Sequence, residues 1–233
     1  MLELEGVTAG YRETVVLRDV TISVPDSKVV ALLGPNGAGK TTTLRAASGL
    51  IKPMHGRVVL DGVDVTGKRP YELARRGLCH LPEGHGIFAS LTVKENIVLF
   101  SPRGEERQSL ERAADRFPAL ATRLGQLAGS LSGGEQQMLS LARTTLSDPK
   151  IVVVDEASLG LSPMLVDQVF DSLAQIVAGG TSLLIVEQYV TRALELADDV
   201  YLMNRGQIVF SGAAAELRAE DVFERYLGIE VTP

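Results

Sequence analysis

Apolar and polar positions alternate along the first thirty residues, with Leu2 and Leu4, then Val16, Val20, Ile22 and Val24, on the apolar side of the pattern. A period of two is that of a strand with one buried face, so this stretch predicts an antiparallel β region. Two segments break the alternation with continuous apolar runs, Val-Val-Ala-Leu-Leu at 29–33 and Ile-Val-Val-Val at 151–154. Such runs suit strands covered on both faces. Further strands are expected over 56–64, 78–81 and 182–186. Helical spacing predicts helices over 70–76, 94–127, 132–146, 164–177 and 190–196, with Pro102 and Pro118 interrupting the second. Residues 200–212 read as a hairpin turning at Asn204-Arg205-Gly206, with short helices after it. Strands alternating with helices imply a parallel sheet with helices on both faces. The expected organisation is one domain over 1–233, with a helical subdomain at 94–146 inserted within it.

Composition narrows the function classes. A chain of 233 residues suits one large α/β domain with a continuous core. The net charge of −6 and the lack of any basic stripe argue against a nucleic-acid partner. No apolar stretch approaches the roughly 18 residues of a membrane span. The first residues carry acids and no apolar core, so no signal peptide is expected and the chain is assigned to the cytoplasm. A membrane role must then come through a partner. Cys79 is the only cysteine, which excludes an intrachain disulfide and reads as core packing. His55, His80 and His85 lack metal-ligand spacing.

The strongest chemical signal is Gly34-Pro35-Asn36-Gly37-Ala38-Gly39-Lys40-Thr41-Thr42, an ungapped G-x-x-x-x-G-K-[ST] placed between a predicted strand and a predicted helix. Its glycines let successive N–H groups face phosphate oxygens at a helix N-terminus. Lys40 is expected to reach the β- and γ-phosphates, the Thr41 hydroxyl to bind Mg²⁺, and Thr42 to hydrogen-bond phosphate. The chain is therefore expected to bind a nucleoside triphosphate. Asp155 ends the second continuous run, where a carboxylate is placed to hold Mg²⁺. Its neighbour Glu156 is placed to polarise the attacking water. In isolation the pair reads equally well as two solvated acids at a strand end.

A second motif, Leu131-Ser132-Gly133-Gly134-Glu135, opens the predicted helix at 132–146. Ser132 and Glu135 form a capping box, which alone accounts for a helix start. Gly133 and Gly134, however, each weaken the first turn by about 1 kcal/mol relative to alanine. Bare N–H groups at a positive helix end suit a closely approaching triphosphate.

With both motifs in order, the chain resembles the ATP-binding subunits of ABC transporters over nearly its whole length. The resemblance implies a P-loop NTPase core, an antiparallel β subdomain and an inserted α-helical subdomain. It implies ATP and Mg²⁺ as cofactors. It also implies a second ATPase subunit packed head to tail, identical or paralogous, so that Ser132, Gly133, Gly134 and Glu135 of one chain complete the other's site. Tyr11 falls where the family stacks an aromatic on adenine, although a tyrosine there also reads as packing. Residues 158–161, Ser-Leu-Gly-Leu, match the loop after the catalytic glutamate that contacts the partner subunit.

Two positions depart from the family pattern. Glu83 stands where the family usually has a glutamine that senses Mg²⁺ and attacking water. Gln188 stands where it usually has a histidine touching the γ-phosphate, and an amide can donate there but cannot become a cation. Together with the signature loop these features resemble the ATPases of branched-chain amino-acid importers, except that Ala157 replaces the usual proline. The implied partners are transmembrane permease subunits and, indirectly, a periplasmic or extracellular solute-binding protein. The implied location is peripheral, on the cytoplasmic side of the cell membrane. Energy is expected to pass through a groove near 83–88, with Ile87 and Phe88 either facing it or packing inside. Other cargoes (urea, amides, an exported lipid) and a non-transport ABC ATPase stay open as alternatives.

Overall fold

The computed structural model describes residues 1–84 and 86–217. His85 lies outside them. So do most of the short helices expected after the hairpin, apart from a single 3-10 turn at Ala214–Glu216.

The alternating N-terminal segment forms two long strands, β1 (Leu2–Tyr11) and β2 (Thr14–Val24), paired antiparallel. Leu2, Leu4, Val7 and Ala9 are buried from β1, and Leu17, Val20, Ile22 and Val24 from β2. The simple alternation misplaces one residue here. Leu17 rather than Val16 is fully buried, because Asp19 adopts a left-handed backbone (φ 54°) and resets the period before Val20. The run expected as one strand at 56–64 is a hairpin, β4 (His55–Leu60) and β5 (Val63–Asp64). Asp61 and Gly62, both left-handed, make the two-residue turn. These four strands form one sheet in the order β2-β1-β4-β5.

The second sheet has six strands, and the continuous apolar runs lie in its middle. Here β3 (Val29–Leu33) lies between β8 (Ser182–Val186) and β9 (Asp199–Asn204), parallel to both. Beyond β8 come β7 (Ile151–Asp155) and β6 (Leu78–Leu81), also parallel, while β10 (Gln207–Ala213) turns back antiparallel on β9. Two separate cores explain the unbroken pattern. Val29, Ala31 and Leu33 face one core while Val30 and Leu32 face the other, and β7 and β8 divide in the same way.

One core lies between the two sheets and holds α1 (Lys40–Ala47) through Leu44, Ala46 and Ala47. The opposite face carries α7 (Pro163–Ala178) and α8 (Val190–Leu196). Between β6 and β7 the chain runs through four helices: α3 (Val93–Phe100), α4 (Glu106–Arg116), α5 (Pro118–Ala121) and α6 (Gly133–Leu146). Pro102 follows the end of α3, whereas Pro118 starts α5, where its missing N–H costs nothing. A short α2 (Pro70–Ala74) precedes β6. Among the described residues no helix is long and apolar enough to cross a membrane.

Candidate functional site

Four parallel strands end at the same edge of the six-stranded sheet, the usual place for a ligand in such a sheet. Gly34 follows β3, Glu83 follows β6 by two residues, Asp155 closes β7 and Glu187 follows β8. In the phosphate loop, Gly37 (φ 79°) and Gly39 (φ 113°) take left-handed backbones. A side chain on Gly37 would meet open space, leaving the backbone free for close approach of a ligand. The loop is braced from behind, because Gly206 in the β9–β10 turn donates to the Ala38 carbonyl at 2.8 Å.

Lys40 is buried and donates through Nζ to the carbonyls of Gly34 (2.8 Å) and Pro35 (3.2 Å). Burial lowers its pKa, opposed by the nearby negative charges of Glu156 and Asp155. The Thr41 hydroxyl donates to Asp155 Oδ1 at 3.1 Å. Asp155 is itself buried, and this desolvation raises its carboxyl to about 6 despite the Thr41 bond; Glu156 and Glu83 push it further up.

Glu156 has a left-handed backbone (φ 49°), fixed by its N–H donating to the Val186 carbonyl at 2.9 Å. That bond follows from register, since Asp155 lies opposite Val186 across β7 and β8. The same register brings Gln188 alongside, and its Nε2 donates to Glu156 Oε2 at 2.8 Å.

The phosphate-loop residues Asn36, Gly37, Gly39, Lys40, Thr41 and Thr42 share an open cleft of about 320 Å³ with Glu83, Glu156, Leu159 and Gln188. A lysine and the Thr42 hydroxyl for phosphate, beside Thr41, its partner Asp155 and the cleft carboxylate Glu83 for a hard cation, fit a magnesium nucleotide. Among the described residues no group of three or more His, Cys, Asp or Glu makes a complete metal cage. A nucleotide-borne Mg²⁺ needs only one or two carboxylates, with phosphate and water supplying the rest.

Tyr11 lines an adjacent cleft with Arg45, Leu50, Ile51, His80, Pro82, Glu83 and Asp155. It is 42% exposed, and its hydroxyl accepts from Arg45 Nη1 at 2.9 Å, so the ring is not core packing. Arg45 was not legible as a site residue, since an arginine in mid-helix carries no motif.

Ser132 and Glu135 line neither cleft. They form the expected capping box: Glu135 Oε2 accepts from the Ser132 N–H (2.9 Å) and Oγ (2.8 Å), while Arg123 Nε holds the other carboxylate oxygen at 2.6 Å. The two signature glycines prove different. Gly133 is exposed, with only Leu161 within contact of an added Cβ. Gly134 has a packing reason of its own, because a Cβ there would lie 2.7 Å from the Leu165 methyls.

Of the two groove candidates, Ile87 packs against the core while Phe88 is 48% exposed beside the Phe100 ring, at 6.1 Å between centroids. Cys79 is buried in the core, and burial raises its thiol pKa.

The family described as ABC transporter matches residues 17–159. The high-affinity branched-chain amino acid transport ATP-binding protein BraG of Pseudomonas aeruginosa is 35% identical, over 98% of this chain and 100% of that protein. The lipopolysaccharide export system ATP-binding protein LptB of Haemophilus influenzae is 30% identical, over 98% of this chain and 97% of its own length. Among solved structures, the ADP conformation of an ATP-binding cassette of an ABC transporter matches with a TM-score of 0.83 at 27% identity, covering 97% of this chain and 95% of the other. A phosphate loop, a strand-end Asp-Glu pair and a capped glycine signature on this fold make the chain a member of the ABC transporter ATP-binding family, and an ATPase.

Proposed function

We propose that this chain hydrolyses ATP to drive import of branched-chain or other hydrophobic amino acids through membrane subunits. The observation that carries the hydrolytic part is the shared cleft of Lys40, Thr41, Glu156 and Gln188. Lys40 and the loop N–H groups hold the triphosphate. Thr41 and Asp155, with Glu83 beside them, would hold Mg²⁺, which neutralises charge on the transferring phosphoryl group. Glu156 accepts a proton from the attacking water, and Gln188 keeps its carboxylate turned toward that water. The bond between the β- and γ-phosphates breaks, releasing ADP and phosphate.

In this reading two chains, identical or paralogous, pack head to tail, so that Ser132 and Gly133 of one approach the triphosphate held by the other. Tyr11 stacks on the adenine. The helical segment at 94–146 moves as a unit, and a permease's cytoplasmic helix sits in the cleft of about 410 Å³ bordered by Tyr71, His80, Pro82, Phe100 and Arg143. The exposed apolar side chains of Leu50 and Tyr71 on its lining, with exposed Phe88 beside Phe100, suit such a partner. The chain then works peripherally, at the cytoplasmic side of the membrane, with a solute-binding protein on the far side.

Amino-acid import is supported by the similarity to BraG, a protein named for branched-chain amino acid transport. Lipopolysaccharide export is a second reading, supported by the similarity to LptB. Co-purification from the native host, followed by reconstitution of the associated permease in liposomes, separates them. Hydrolysis stimulated by a solute-binding protein loaded with leucine, isoleucine or valine is expected. Stimulation by lipopolysaccharide, with none by the loaded binding protein, would replace import with export.

A further inference from the structure

A second acid at the site's edge has no role in the chemistry above. Glu187 is only 3% exposed, and among the described ion pairs none includes it. Its carboxylate accepts from the neighbouring Gln188 N–H and from Ser158, a fully buried residue two positions after Glu156. The Ser158 N–H donates to Glu187 Oε1 at 3.2 Å, and the Ser158 hydroxyl donates to Oε2. Burying a carboxylate without a cation is costly, and an uncharged residue would serve the fold at least as well. Retaining one here points to a geometric task.

The surrounding contacts define that task. Three consecutive residues at the end of β8 hold the loop after β7: Val186, the strand's last residue, through the Glu156 N–H, Glu187 through Ser158, and Gln188 through the Glu156 carboxylate. Glu156 sits in a left-handed conformation that a non-glycine residue keeps only when its surroundings impose it. The held loop then runs on to Leu161, whose N–H donates to the Ser158 carbonyl and whose side chain reaches Gly133 at the start of α6.

We infer that Glu187 is a positioning residue for hydrolysis: by binding both the N–H and the hydroxyl of Ser158, it fixes the loop that aims Glu156 at its water. The inference rests on the reading of Glu156 as the residue that activates water, and it concerns rate rather than nucleotide affinity, because Lys40 and Thr41 lie on other elements.

Steady-state hydrolysis by the full chain, in the complex it forms with its permease, tests it. Glu187→Ala is expected to lower kcat on the order of tenfold or more, with KM for ATP within about twofold. Glu187→Gln, which keeps an acceptor for the Ser158 N–H, is expected to restore part of that rate, and it carries the test if the alanine variant fails to fold. In a double-mutant cycle, Ser158→Ala combined with Glu187→Gln should cost no more than the worse single change. Multiplying losses, or a kcat for Glu187→Gln equal to the parent's, would overturn the inference. Glu156→Gln is the control: if that variant still turns over, the underlying reading fails, whereas if it is inactive and the Glu187 variants are normal, only the role of Glu187 fails.

Discussion

Gln188 Nε2 donates to Glu156 Oε2 at 2.8 Å, so the residue standing in the family's histidine position holds the carboxylate proposed to activate water. A neutral amide does this without a titration of its own. Hydrogen bonds to charged groups contribute about 1.5–3 kcal/mol, so Gln188→Ala is expected to lower kcat by roughly 10- to 100-fold. The shape of the pH–rate profile should survive the change. Loss of an inflection in that profile would show that Gln188 governs the protonation of another group rather than only orienting Glu156.

Replacing Glu156 with glutamine removes the proton acceptor while leaving Lys40, Thr41 and the loop intact. ATP binding is expected to persist, with turnover down by at least about 10²-fold. Nucleotide binding measured alongside phosphate release checks both halves. Near-parental release would remove Glu156 from its assigned role.

The signature glycines should separate under substitution. Gly133→Ala makes only an ordinary contact, with Leu161 at 3.8 Å, and gains helix propensity, so unfolding free energy should rise by up to about 1 kcal/mol. Turnover should nevertheless fall if a triphosphate approaches that backbone from another chain. Gly134→Ala drives a methyl into Leu165, and the crowding should cancel the propensity gain or exceed it. Denaturant melts paired with hydrolysis rates distinguish the two. A Gly133→Ala variant that is both more stable and fully active would confine that glycine to a structural role.

Burial raises the Glu187 carboxyl to about 7 from its ordinary 4.5; its hydrogen bonds to Ser158 oppose the shift, and the charge of Glu156 adds to it. Between those values the folded chain holds a proton that the unfolded chain has released. This group's stabilisation is therefore full below about pH 4.5 and is lost as pH rises through 7. Asp155, raised to about 6, acts in the same direction. Melting temperatures at pH 5 and pH 7.5 should show a smaller fall across that interval for Glu187→Gln than for the parent. An unchanged fall would mean that Glu187 titrates normally in the folded chain.

The parts of the fold carried by local pattern were legible in the sequence. β3, β7 and β8 are buried at every position, and apolar at all but Asp155 and Ser182, because both their faces are covered, and the phosphate loop declares itself by glycine spacing. The parts set by strand register were not. Nothing local says that Asp155 lies opposite Val186, and that pairing alone brings Gln188 to Glu156 and Glu187 to Ser158. The shift at Asp19 escaped for a related reason, since a single left-handed residue inside an alternating strand leaves no mark on hydropathy. Gly134 carries, besides its place in the motif, a packing contact with Leu165 that the sequence does not display.

The helix that starts at Lys40 is wedged between two sheets, with Leu44, Ala46 and Ala47 shared by the core that joins them. The helix that follows the phosphate loop is thus tied to a core that both sheets share. Amides of α1 should exchange with solvent only at the free energy of global unfolding. The capped start of α6, held at its first turn by the exposed Ser132 and Arg123 and the half-buried Glu135, should exchange through local opening. In the proposed head-to-tail pair, movement that brings two nucleotide half-sites together would then fall to the helical segment at 94–146, against a phosphate cradle backed by this core.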